Sequence, residues 1–124
     1  MLVKDLKSCP QFVAGDRSLI REVLHPKNDG IESGFSLAHA TVKKGGKTVP
    51  HRLKKSVEVY YILQGEGLMH INNEVKIVRE NQAVFIPPNS LQWIENTGNK
   101  DLVFLCVVSP PWSEEDEEVL EGEI

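Results

Sequence analysis

The stretch VPHRLKKSVEVYYILQGEG, residues 49–67, decides the fold. His51 stands seven residues before Glu58, and a run of aromatic and β-branched residues then ends at Gly65. Such spacing is that of half a metal site carried on neighbouring strands. Two residues after His51, where a second inward histidine would complete a pair, stands Leu53. The pattern leaves three possibilities open: a metal site, the remnant of one, or a pocket that works without metal.

Working outward, the chain from residue 35 onward is a series of short β-prone runs cut by turn residues. FSLAHATV (35–42) meets KKGGK, TVPHRL (48–53) meets KKS, and VEVYYILQ (57–64) meets GEG. LMHI (68–71) and EVKIV (74–78) join through Asn72-Asn73, residues that tolerate the positive φ of a tight hairpin. AVFIP, LQWIEN and DLVFLCVV follow, separated by PNS and TGNK. Many short strands at this spacing predict an all-β sandwich or antiparallel barrel. SLIREVLH (18–25) fits a short helix nearly as well as a strand and is assigned as strand in a β-rich chain. Ser113-Glu114-Glu115-Asp116 has the form of a capping box, giving either a short helix over 114–120 or a solvated acidic tail.

In VEVYYIL, Glu58, Tyr60 and Ile62 alternate with Val57, Val59, Tyr61 and Leu63, so both faces are largely apolar. A strand with one face in water alternates more cleanly. The second face is therefore expected to be covered, by the N-terminal segment or by a second copy in a homodimer.

At 124 residues the length suits one domain. The net charge of −4 argues against a general nucleic-acid binder, which carries a basic face. No secretory h-region is evident at the N-terminus, and the longest apolar run, LVFLCVV (102–108), is far short of a membrane span. The expected setting is cytoplasmic, with Cys9 and Cys106 reduced and Cys106 a small core residue.

These residues resemble the cupin superfamily, the small double-stranded β-helix or jelly-roll proteins. Its first motif, G-x5-H-x-H-x3,4-E-x6-G, is matched in every spacing by Gly45, His51, Leu53, Glu58 and Gly65, with leucine in place of the second histidine. Against the second, G-x5-P-x-G-x2-H-x3-N, Pro87 and Asn96 match, while Asn81, Asn89 and Gln92 replace the two glycines and the histidine. The resemblance implies one cupin jelly-roll domain over 1–124. Its core barrel would span about 35–109, with N-terminal strands in 1–34 and a C-terminal acidic segment, helix or tail, in 110–124. It further implies a divalent transition metal in the barrel, held by three histidines and a glutamate. Here the matched positions supply His51, Glu58 and the weaker amide oxygen of Gln92, a degraded site.

His39 and His70 are the candidates to replace the lost ligand. His39 is favoured because it sits between Ala38 and Ala40, although a lone strand histidine is more often structural. Glu58, set among apolar neighbours, must be paired, metal-bound or protonated if buried. His51 is an acid–base or ligand candidate, or simply a partner of Glu58. Tyr60 shares the face of Glu58 and is a substrate or proton-transfer candidate, or a core tyrosine. The catalytic candidates are thus Glu58, His51 and Tyr60, and the metal candidates His51, Glu58, Gln92 and His39. The expected function is a small cupin that binds a divalent metal weakly and acts on or binds a small polar molecule, a sugar or an organic acid. The alternative is a module without metal that binds a small ligand or a protein partner. His25 is expected at the surface or as a cap, Trp93 and Trp112 as packing or interface residues, and the lysine-rich run 43–55 as solvated turns.

Overall fold

A computed structural model describes residues 1–120 of the chain. Two antiparallel sheets face each other. The first has six strands in the order β1 (Gln11–Val13), β2 (Leu19–Leu24), β3 (Ser36–Val42), β10 (Leu102–Ser109), β5 (Val57–Gln64) and β8 (Ala83–Ile86). The second has five, in the order β11 (Glu117–Val119), β4 (His51–Leu53), β9 (Gln92–Asn96), β6 (Glu66–Ile71) and β7 (Glu74–Arg79). This is the expected jelly roll, and residues 19–24 are the strand assigned from sequence.

Period-two alternation decides which side chains face inward. On β10, Leu102, Phe104, Cys106 and Val108 are buried; on β5, Glu58, Tyr60 and Ile62. On β9, Gln92, Ile94 and Asn96 turn inward. Ile62, Ile94, Leu102 and Phe104 pack between the sheets with Ala40, Val42 and Met69. Each large apolar side chain removed from water contributes about 1.5–3 kcal/mol.

Corners between the sheets need special residues. Gly65, at φ +90°, passes the chain from β5 in one sheet to β6 in the other. A Cβ there would lie 3.0 Å from the Asp101 carbonyl oxygen, so glycine is required twice over. Asn72, at φ +52°, makes the expected β6–β7 hairpin turn.

Two expectations change. The C-terminal helix is only a single 3-10 turn, Glu114–Asp116, and Ser113 makes no side-chain cap. The chain then extends as β11 and pairs with β4, placing Glu117 opposite Leu53. Residues 121–124 of the acidic segment lie outside the described residues. The N-terminal segment does not cover the outer face of β5. It continues the sheet through β2 and β1 on the far side of β3, leaving Tyr61 41% and Leu63 44% exposed beside Phe85 at 61%. His25 is a cap, one of the two places expected for it, and is buried there. Its Nδ1 accepts from Lys27 N–H at the start of α1 (Pro26–Asp29), and its Nε2 donates to the Trp112 carbonyl at 2.8 Å.

Candidate functional site

Between the sheets, at the end built by β1, β2, β4 and β11, lies a cavity of about 90 Å³. Its walls are apolar where β3 and β10 contribute Ala38, Ala40, Phe104 and Val108, and Phe12 and Trp112 are the large exposed aromatics beside it. Its polar lining includes Asp16, Glu22, His51, Glu58, Tyr60 and Glu117.

Glu58 is brought inward by β5 and is 8% exposed. Its Oε1 accepts from Gln92 Nε2 at 3.2 Å, and no hydrogen bond from the protein reaches Oε2 among the described residues. Burial is the main cause that raises its carboxyl from the ordinary value of 4.5 to about 7. Nearby His51 and the Gln92 amide oppose that rise, and the Asp16 and Glu117 carboxyls add to it.

Gln92 is held from its other side. The Tyr60 hydroxyl donates to Gln92 Oε1 at 2.9 Å, which orients the amide so that its nitrogen donates to Glu58. Burial, with Glu58 nearby, pushes the Tyr60 phenol well above its ordinary value, so it stays a donor. The Tyr60 ring leans on Phe104, with centroids 4.4 Å apart.

His51 Nδ1 donates to the Val49 carbonyl at 2.8 Å, since a carbonyl can only accept. That contact fixes the ring and leaves Nε2 directed at Asp16 Oδ2, 3.8 Å away. Asp16 is itself anchored by Ser18, whose hydroxyl donates to Oδ1 at 2.6 Å. Glu117 arrives on β11 from near the far end of the chain. Burial raises its carboxyl, with Asp16 adding and His51 opposing. Gly15 allows this approach, because a Cβ there would stand 3.2 Å from Glu117 Oε1.

The structure thus brings together His51, Glu58, Tyr60 and Gln92. It does not bring His39 to them. Ala38 and Ala40 turn into the cavity, so His39 faces the outer side of β3, in register with Arg21 and Leu105. The small neighbours that favoured His39 are small because they line the cavity. His70 also faces away, stacked on Trp93 with centroids 4.1 Å apart and 3.4 Å from Glu95 Oε2. Asp16 and Glu117 were not singled out from sequence. Each comes from outside the motif-bearing strands, and only long-range pairing places it here.

These residues do not fit a firmly held metal ion. Leu53 is buried in the cavity wall and offers no donor. The oxygen of Gln92 is taken by Tyr60. Among the described residues, no three His, Cys, Asp or Glu side chains converge well enough to hold an ion.

Comparison with known proteins agrees with the topology. An uncharacterized protein of Methanocaldococcus jannaschii is 45% identical over 111 residues, covering 89% of this chain and 87% of that one. The oxalate-binding protein of Thermotoga maritima is 35% identical over 90 residues, covering 73% of this chain and 69% of that protein. The crystal structure of a predicted oxalate decarboxylase from Thermotoga maritima superposes with a TM-score of 0.76 over 87% of this chain and 98% of that one, at 23% identity. A family model described as the cupin domain matches residues 38–108, and the chain belongs to that family.

Proposed function

We propose that the chain binds a small polar molecule in the cavity, held by Glu58 Oε2 and His51 Nε2, with Glu58 able to take or give a proton near neutral pH. One observation carries this. A largely buried carboxyl group keeps one oxygen without a described protein partner beside the cavity. That oxygen is left to the cavity Glu58 lines, where a ligand hydroxyl or amine can take the place of water. A group whose proton equilibrium lies near the working pH is also suited to proton transfer. The oxalate-binding relative supports a small polar ligand as a class. No step is routed through an ion, because the residues present do not fit one.

The roles follow from the contacts. His51 is fixed by Val49 and presents Nε2. Gln92 and, through it, the Tyr60 hydroxyl position Glu58. The test is amide chemical-shift mapping with a mixture of small polar metabolites. Binders are expected to move signals of cavity residues in the parent, and to lose that effect in Glu58→Gln. Binders that act only on the outer sheet faces, or bind Glu58→Gln equally well, contradict the proposal.

A further inference from the structure

Charge in the cavity is one-sided. Asp16, Glu22, Glu58 and Glu117 are among the residues that line it, although the Glu22 carboxyl is engaged by Asn28 at the surface, and among the described residues no lysine or arginine lines it. Among the described residues its one basic side chain is His51, and Asp16 already lies 3.8 Å from the ring. The lysine-rich run does not reach inside. Arg52 alternates with the inward His51 and Leu53 and lies 3.4 Å from Glu118 Oε1, and Lys43, just after β3, pairs with Asp101, just before β10. Walls of low polarity concentrate the field of such a cluster within the cavity. An oxalate or sugar-phosphate anion would therefore meet Asp16, Glu58 and Glu117 with a single imidazole to offset them.

The remaining lining is suited to a cation with an organic body. Phe12, Tyr60, Phe104 and Trp112 all contribute to it, and aromatic faces attract ammonium groups. The acids are spread around the space rather than gathered on one point. That arrangement suits an ammonium group with a carbon chain better than a compact metal ion, for which the donors do not converge. The Oε2 of Glu58, on a side chain 8% exposed, is an acceptor to which no described protein group donates.

We infer that the ligand class is a small organic cation, an ammonium group on a short chain, held by Glu58, Glu117 and Asp16 against the aromatic wall. This rests on the cavity being the binding site, as proposed above, and adds the sign of the ligand's charge.

Calorimetry on the full chain near neutral pH tests it with four separate probes: propylammonium chloride, propan-1-ol, sodium oxalate and zinc chloride. Propylammonium is expected to bind once per chain, at least tenfold more tightly than its neutral isostere propan-1-ol, with oxalate giving no binding. Glu117→Gln, checked for an unchanged fold by circular dichroism, should weaken propylammonium several-fold and leave propan-1-ol unaffected. Equal or tighter binding of propan-1-ol or oxalate overturns the charge inference; cavity signals moved by propan-1-ol would still uphold the small-molecule reading. Zinc binding that depends on Glu58 and exceeds that of propylammonium overturns the organic cation. If no probe moves any cavity signal, both readings fail.

Discussion

The Tyr60 hydroxyl donates to Gln92 Oε1 at 2.9 Å, and this bond determines which end of the Gln92 amide faces Glu58. At the position where the motif expects a metal-binding histidine, the protein has instead built a hydrogen-bonded support for a carboxyl group. Tyr60→Phe removes the donor and leaves a buried carbonyl unsatisfied, at a cost of about 1–3 kcal/mol. The ring packing on Phe104 is retained, so the loss seen in denaturant unfolding reports the hydrogen bond. Unchanged stability would mean that the Gln92 oxygen has another partner.

Leu53→His tests the degraded metal motif. Leu53 lines the cavity with His51, so a histidine there adds a second imidazole on the same strand face. Zinc affinity measured by calorimetry should rise at least tenfold. Stability should fall by about 1–3 kcal/mol as a polar ring replaces a buried leucine. An unchanged affinity in the folded variant contradicts the placement of the two side chains.

Stability should depend on pH through Glu58. Its folded value of about 7 lies above the ordinary 4.5, so the folded state binds the extra proton between those values. The contribution is fully present below about pH 4.5, declines as pH rises and is lost above about 7. Glu58→Gln abolishes this dependence. The variant should exceed the parent by on the order of 3 kcal/mol at pH 8, and the gap should close towards pH 4. Parallel unfolding profiles for the two proteins would remove Glu58 as the source.

Much of this site can be read along the chain because alternation carries it. Glu58, Tyr60 and Ile62 share parity on β5, and Gln92, Ile94 and Asn96 on β9, so their inward placement follows from strand geometry. His39 shows the limit of that argument. Parity separates it from Ala38 and Ala40, yet which side faces the cavity depends on how β3 pairs with β2 and β10. Glu117 was harder still. An acidic segment after a serine has the local signature of a helix start, and pairing with β4 overrides it.

The outer face of β5 calls for a cover that the described residues do not supply. Tyr61 and Leu63 are exposed next to Val59 and Phe85, which are in register on β5 and β8. We expect a second copy to cover them, since twofold pairing of like surfaces closes upon itself. Sedimentation velocity should show a dimer at tens of micromolar, and Tyr61→Glu with Phe85→Glu should convert it to monomer. A monomeric parent at high micromolar concentration contradicts this arrangement.

The account depends most on Glu58 being a carboxyl group withdrawn from water, with one oxygen left for a ligand. Following its side-chain carboxyl carbon by NMR in the ligand-free parent, as pH is varied, measures that directly. The predicted midpoint is about 7. A midpoint near the ordinary 4.5 would mean a solvated carboxylate and an open cavity, and would contradict the account.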